Sequence, residues 1–272
     1  MSQTAESPGA LFSAGKLTDA VEAANAAVRR SPGDLGARVL LAELLLFAGN
    51  LDRADNILDA AAQIDPTAMV GVAEFRQLIR AEQARRQHRR EGRVPEFLGE
   101  PTEALRACLA ASVAWRGGDR QEAARCAAEA EAVRPRAAGV IEQAGGQLQF
   151  DDFRDADDLH AGFFEVLTTT GKYFWIPTER VASVEFHAPR RPRDLTWRRA
   201  SMSVTAGPDG EVYLPVVYDT DATDLGDELR LGRATAWRTE DNGPVLGVGQ
   251  RIFLVGDEAR GIMELTTLRF GA

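Results

Sequence analysis

The sequence predicts a two-part chain, in which an N-terminal α-helical repeat array precedes a smaller, mostly antiparallel α+β domain. Three observations support this fold class. First, a helical segment recurs with its glycines, alanines and prolines in register. Second, alanine-rich helical sequence gives way near residue 145 to alternating β-branched and aromatic residues. Third, a chain of 272 residues is long enough for two hydrophobic cores. The predicted domains are residues 1–140 and 141–272.

The repeated unit occurs three times in the first part. AGKLTDAVEAANAAVRRSPGD (14–34) recurs as AGNLDRADNILDAAAQIDPTA (48–68) and GGDRQEAARCAAEAEAVRPRA (117–137). A glycine permits a tight turn between paired helices, small alanines allow close helix approach, and a proline ends the second helix. This 34-residue helix–turn–helix spacing resembles the tetratricopeptide repeat, and the matched positions are Gly15, Gly49, Gly118; Ala20, Ala54, Ala123; Ala27, Ala61, Ala130; and Pro32, Pro66, Pro135.

The segment between the second and third copies lacks the repeat glycine and proline. Its apolar spacing predicts one long helix from about 67 to 91, broken by GRVPEFLGEP (92–101). A basic run on this helix has two interpretations, a solvated face near the helix C-terminus or a docking patch for an acidic partner. Its members are Arg80, Arg85, Arg86, His88, Arg89, Arg90 and Arg93.

The first helix of each repeat pair is expected to line the concave side of the array. On that side the larger apolar residues predict a groove for an amphipathic helix, with ordinary core between helices as the alternative. The candidate partner-binding residues are Val39, Leu46, Phe47, Leu105 and Trp115.

In the second part, TTTGKYFWIP (168–177) raises the question of a phosphate-binding loop. We predict a helix from Asp155, as N-cap, to about 169, ended by Gly171 in a left-handed conformation, and then a strand. A phosphate loop runs strand–loop–helix, and its first glycine would fall at position 166, which is Val166, so a nucleotide site here is excluded. Lys172 is expected to solvate the helix C-terminus.

Further strands are predicted at the end of the chain, with AGPDGE as a hairpin turn and an antiparallel sheet or partial barrel as the result. The predicted segments are 179–187, 200–205, 211–218, 245–255 and 262–270. The tryptophans at 175, 197 and 237 are interpreted as core residues, with a stacking surface as the alternative.

The sequence contains no catalytic motif. The carboxylates at 151, 152, 155, 157 and 158 lack the alternation and closing glutamate of a calcium loop, so they favour capping and solvation over metal binding. The three histidines are isolated, and Cys108 and Cys126 are expected to be buried thiols. No cofactor and no metal are predicted.

Charge and hydropathy limit the partners further. The net charge is −9, and residues 141–272 hold 14 basic against 22 acidic side chains, which argues against nucleic-acid binding there. No apolar run has the length of a membrane span, so a soluble, cytoplasmic protein is expected.

The second part contains several characteristic phrases, in this order: DADDLHAGFFEVL, GKYFWIP, DLTWRRA, LPVVYDTD, LRLGRATAW and GVGQRIFLVGDE. With these phrases the chain resembles the ImpE family, also called SciE or TagJ. The resemblance implies an accessory component of bacterial type VI secretion. Such a protein would bind an N-terminal helical segment of the small contractile-sheath subunit and influence sheath disassembly by the hexameric ATPase.

The sequence therefore predicts a non-enzymatic adaptor. Two alternatives stay open: a metal- or ligand-binding module built on the acidic cluster 151–158, and a structural homo-oligomer that uses the tryptophan-bearing surface.

Overall fold

The computed structural model describes residues 6–64, 66–143, 145–219 and 225–271. The first half is helical and the second half is built from strands, as the sequence predicts. The helices of the array are α1 (Pro8–Ser13), α2 (Leu17–Arg30), α3 (Leu35–Phe47), α4 (Leu51–Ala62), α5 (Met69–Glu91), α6 (Glu103–Arg116) and α7 (Arg120–Val133). Within the described residues, no helix combines the length and apolar character needed to cross a membrane.

The repeat signature corresponds to three helix pairs, α1–α2, α3–α4 and α6–α7. The three turn glycines all have positive φ, at 79°, 76° and 85°, which is the backbone conformation that glycine adopts without steric cost. Ala20, Ala54 and Ala123 are fully buried, as expected where two helices approach closely. Asn50 and Asp119 begin the second helices of two pairs by accepting a backbone N–H from the first turn.

The long helix α5 is also confirmed, and Gly92 ends it in a left-handed conformation. The segment that follows does not form another repeat helix. It runs along the edge of the sheet instead, where the Glu96 N–H donates to Tyr173 O at 2.9 Å and the Trp175 N–H donates to Glu96 O at 3.1 Å. Arg180 binds the carbonyls of Leu98 and Glu100.

Within the residues that the structure describes, the strands form three sheets, and every pair of named strands is antiparallel. The largest is an open eight-stranded sheet in the order β2-β1-β13-β6-β7-β8-β4-β5, and the smaller ones are β12-β11-β3 and β10-β9. The described strands do not close into the partial barrel that was considered as an alternative. The strands are β1 (Gly139–Gln143), β2 (Gly146–Phe150), β3 (Phe153–Asp155), β4 (Phe163–Leu167), β5 (Tyr173–Pro177), β6 (Val181–Phe186), β7 (Trp197–Val204), β8 (Asp209–Pro215), β9 (Thr235–Arg238), β10 (Leu246–Gly249), β11 (Ile252–Val255), β12 (Glu258–Gly261) and β13 (Thr267–Phe270), with the one-turn helix α8 (Asp227–Arg230) before β9.

The helix predicted from Asp155 to about 169 is wrong. That stretch contains the end of β3, a turn and β4, whose five residues are all buried. A strand covered on both faces lacks polar alternation, so its apolar residues also fit a helical spacing. Gly171 does have φ of 80°, but in the turn between β4 and β5. Lys172 therefore lies in the turn of a strand hairpin and does not solvate a helix end.

The predicted strands 179–187, 200–205 and 211–218 hold with changes at their ends, whereas 262–270 is a strand only over its last four residues. AGPDGE covers the β7–β8 turn and the first three residues of β8, with Ser203 paired to Asp209. The predicted strand 245–255 is two strands in different sheets, separated at Gly249 and Gln250. Residues 220 and 221 of the LPVVYDTD phrase lie outside the described residues.

One hydrophobic core is shared by the array and the large sheet. Phe75 of α5 meets Trp197 of β7 edge to face, with ring centroids 6.1 Å apart. Phe163 of β4 and Trp175 of β5 stack on each other within the same cluster that holds the leucines of α3. A second core lies on the other side of the sheet, around Phe153, Phe164 and Phe253.

Candidate functional site

A chain of buried ion pairs joins α5 to the sheet. Arg85, on α5, binds Glu165 of β4 through Nε–Oε1 and Nη2–Oε2, both at 3.0 Å. Arg251, between β10 and β11, donates to the same carboxylate and, at 2.6 Å, to Asp155 Oδ2. The hydroxyl of Tyr218 donates to Asp155 Oδ1 at 2.7 Å. These five side chains are almost completely buried.

The electrostatics of this network favour its charged form. Burial by itself would raise the pKa of Glu165, but Arg85 and Arg251 hold that pKa well below its usual value. The Tyr173 hydroxyl donates to Glu165, and burial together with this carboxylate raises the pKa of Tyr173 well above its usual value. Each charged group is thus occupied by a partner, and the arrangement supports a role in holding the array against the sheet.

A cavity opens beside this network, between α3, α5 and the loops that follow β8. We call it the array–sheet cleft; its volume is 340 Å³. Its floor includes the buried Glu82, which accepts from Arg86 Nε at 3.1 Å and from Trp197 Nε1 at 3.3 Å. Phe47 lies on one wall and Asp219 on another.

A second, shallower opening lies on the surface of the third repeat pair. This α6–α7 groove has a volume of 550 Å³ and is mainly apolar. Leu109 and Val113 stand one helical turn apart along it, and the Val113 side chain is 49% exposed. The remaining lining residues are Arg106, Ala110, Ala114, Gly117, Asp119, Glu122 and Cys126.

The residues predicted to line an open groove occupy other places. Leu46, Phe47, Leu105 and Trp115 are buried, with exposed fractions of 2%, 6%, 2% and 7%, and Val39 is half-buried against the shared core. The sheet covers the concave side of the array, so the expected open groove lined by these five side chains is absent. Their placement matches the alternative of ordinary core. Leu46 and Phe47 do reach the wall of the array–sheet cleft.

The half-buried Leu109 and the exposed Val113 of α6 were missed because the helix is apolar on two faces. Leu105 and Trp115 belong to the buried face, whereas Leu109 and Val113 belong to the open one. The signal was present in the sequence as an i, i+4 apolar pair at 109 and 113. Only the packing of α6 distinguishes the two faces.

The acidic cluster serves to anchor the chain. Asp152 binds Arg134, with Nη1–Oδ1 at 2.8 Å, and accepts the N–H of Ala137 and of Phe153. Asp157 accepts the N–H of Gly247 at 2.8 Å. In the described part of the chain, no group of histidine, cysteine, aspartate or glutamate side chains is arranged to hold a metal ion. The helix-capping interpretation is wrong, since no helix follows these residues.

The remaining residues singled out from the sequence divide between core and surface. Arg85 and His88 are buried under the sheet, so the fully solvated face expected for the basic run is wrong for these two members. Trp175 and Trp197 are core residues, whereas Trp237 is 45% exposed. Cys108 and Cys126 are buried free thiols, as predicted.

Comparisons with known proteins agree with both halves of the fold. A tetratricopeptide-repeat family model matches residues 11–73, and the model of the ImpE protein family matches residues 147–269. The crystal structure of protein VPA1032 from Vibrio parahaemolyticus superposes with a TM-score of 0.88 at 27% identity, over 97% of each chain.

A characterised relative extends the match over nearly the whole sequence. The type VI secretion system accessory component TagJ of Pseudomonas aeruginosa is 31% identical over 260 residues, which are 96% of this chain and 89% of that protein. With the family-model match in the sheet and this full-length relationship, the chain belongs to the ImpE family.

Proposed function

We propose that this protein is a non-enzymatic adaptor of a bacterial type VI secretion system. It binds a helical segment of the small contractile-sheath subunit and thereby modulates sheath disassembly by the hexameric ATPase. Its relative TagJ is an accessory component of that system, and helical repeats are a common scaffold for protein binding. The observation that carries the proposal is the exposed apolar α6–α7 groove on a repeat pair.

The register of the repeats indicates what this groove accommodates. In the second pair, Arg53 of α4 binds Asn25 of α2, so that face of α4 packs against the preceding pair. The position equivalent to Arg53 in the third pair is Glu122, which lines the groove. The groove is therefore the face on which a preceding helix would stack in a continuous array.

This stacking face is open because the chain departs from the repeat after α5. The segment around Glu96 pairs with β5 and supplies no helix. A helix from another protein can take the vacant place, with apolar side chains spaced i, i+4 against Leu109 and Val113. Arg106 at one end of the groove and Asp119 at the other give the bound helix a preferred direction.

The binding experiment compares two valine substitutions. Val113→Glu places a charge in the groove and should weaken binding of a synthetic helical peptide from the small sheath subunit by at least about tenfold. Val70→Glu is the matched control, because Val70 is 72% exposed on α5 and does not line the groove. Equal affinity of both variants and the wild type for the peptide would refute this site.

The role in disassembly is tested separately. Purified sheaths and ATPase are incubated with wild-type protein or Val113→Glu, and the release of sheath subunits is followed by sedimentation. We expect only the wild-type protein to change the rate of release. The assignment places the protein in the cytoplasm with the ATPase, and it requires no catalytic residue or cofactor in this chain.

A further inference from the structure

We propose that the helix bound in the α6–α7 groove takes the position that α2 has against the second repeat pair. It runs antiparallel to α6 and enters the groove with larger apolar side chains than those of α2. This inference rests on the helix-binding function proposed above and deepens it, because it assigns the direction of the bound helix and the size of its side chains. The second repeat pair of the same chain provides the template.

The groove corresponds to the face of the second repeat pair on which α2 lies. Gly49 and Gly118 occupy the same repeat position, 69 residues apart, and the same shift relates Leu44 of α3 to Val113 of α6. In the second pair, α2 packs against α3. Leu44 is fully buried there, whereas Val113 is 49% exposed. The groove is therefore this stacking face without its covering helix.

The groove is wider than the corresponding face of the second pair. Of its six uncharged residues, only Leu109 matches its counterpart, Leu40, and the other five are smaller than theirs. These replacements are Leu41 to Ala110, Leu44 to Val113, Leu45 to Ala114, Ala48 to Gly117 and Ile57 to Cys126. The apolar residues of α2 after Leu17 are alanines and valines, and side chains of that size would leave the groove partly empty. Unfilled apolar space loses packing contacts, so the groove favours a helix with leucine, isoleucine or methionine.

The direction of the bound helix follows from the connection between α2 and α3. Only residues 31–34 join the two helices, and helices in contact through so short a connection are antiparallel. Arg38 of α3 donates to Pro32 O at 2.8 Å, which keeps the C-terminal end of α2 beside the start of α3. A helix in the equivalent place has its C-terminal end near Arg106 and its N-terminal end near Asp119.

The charges at the two ends of the groove favour the same direction. A helix carries partial negative charge at its C-terminus and partial positive charge at its N-terminus. Arg106 is exposed and has no carboxylate partner among the residues that the structure describes, and Asp119 at the other end is exposed as well. The counterparts in the second pair are the uncharged Ala37 and Asn50. The two charges thus belong to the open groove alone and suit an antiparallel helix.

Paramagnetic relaxation in the full-length protein tests the direction. The probe is the synthetic helical peptide of the small sheath subunit, with a nitroxide on a cysteine added at its N-terminus or its C-terminus. The N-terminal label should broaden the amide signals of residues 117–119, and the C-terminal label those of residues 103–106. The reversed pattern overturns the assigned direction while helix binding in the groove stands. Broadening confined to elements other than α6 and α7 refutes the proposed function too.

The size of the side chains is tested by giving the groove the residues of the second pair. Ala110→Leu with Val113→Leu should weaken binding of the unlabelled peptide at least about tenfold, although it adds apolar surface. Ala26→Leu with Val70→Leu is the matched control, because both positions are exposed and lie outside the groove. Unchanged or tighter binding by the filled variant, while Val113→Glu still loses the peptide, overturns the size assignment and leaves the helix site in place.

A shortened peptide keeps this test independent of the folding of the filled variant. When its large apolar residues are replaced by alanine, the sheath peptide should bind the wild-type protein at least about tenfold more weakly. It should bind the filled variant at least as well as the wild type, because the groove then matches smaller side chains. Equal affinity of the shortened and the unaltered peptide for the wild type contradicts the proposal.

Discussion

Arg85 of α5 and Glu165 of β4 form a two-point ion pair inside the protein, although they lie 80 residues apart in the chain. The pair connects the repeat array to β4, the strand next to the β5 edge of the large sheet. Because Arg251 shares the same carboxylate, the contact is part of a larger network and depends on both halves being in place.

Removing one partner of this pair should destabilise the protein strongly. Arg85→Met leaves Glu165 buried with one cation fewer, and breaking such a pair costs about 3–5 kcal/mol. Equilibrium urea unfolding measures the difference. Arg125→Met, in an exposed ion pair on α7, is the control and should leave the midpoint almost unchanged. A loss below about 1 kcal/mol for Arg85→Met would contradict the importance of the network.

The repeat array should not fold cooperatively when residues 1–140 are expressed alone. Phe75 packs on Trp197, and the leucines of α3 share a cluster with Trp175, so the isolated array would expose these apolar side chains. Circular dichroism should show helix content without a sharp thermal transition. A cooperative transition like that of the full chain would show that the array is an independent domain.

The stability of the protein should depend on pH through Glu43. This carboxyl is buried in α3 beside Arg193, with Arg191 and Asp194 nearby, and burial raises its pKa to about 7. A raised pKa means that the folded state holds the proton more tightly, so this contribution to stability is complete below about pH 4.5 and is lost as the pH rises to about 7.

Glu43→Gln should remove this dependence. The variant should be more stable than the wild type above pH 7, by at most about 3 kcal/mol, and the difference should vanish at low pH. Urea unfolding at several pH values measures it. A wild-type protein whose advantage over Glu43→Gln grows with rising pH would contradict the assignment.

Divalent cations should leave the thermal stability unchanged. Three carboxylates of the acidic cluster are occupied: Asp152 by Arg134, Asp155 by Arg251 and Asp157 by the backbone N–H of Gly247. An ion bound at 100 times its Kd would add about 2.7 kcal/mol to the free energy of unfolding. Calorimetric scans with calcium, magnesium and manganese therefore separate the adaptor from the metal-binding alternative, and a clear rise in Tm with any of them would favour the latter.

Local patterns in the sequence were sufficient for the array. Gly15, Gly49 and Gly118 mark turns whose conformation only glycine adopts easily, and the alanines mark close helix contacts. The β4 strand was mistaken for a helix because FFEVL is buried on both faces and carries no alternating pattern. Burial from both sides is a tertiary property, which a window of neighbouring residues does not contain.

The candidate site was harder to predict for a related reason. The sequence places large apolar residues on the first helices of the repeats, but it does not say that the sheet covers them. The burial of Arg85 could not be predicted for the same reason. Its position in a basic run predicts a solvated side chain, whereas its partner Glu165 comes from a distant strand. Leu109 and Val113 become candidates only when the face of α6 that remains open is known.

The most direct test of the adaptor account is a hydrogen-exchange footprint of the full-length protein with and without the helical peptide of the small sheath subunit. We predict slower exchange along α6 and at the start of α7, where a bound helix would cover the α6–α7 groove, and little change in α1 and α2. Slower exchange confined to other elements, with α6 and α7 unaffected at saturating peptide, would contradict the account.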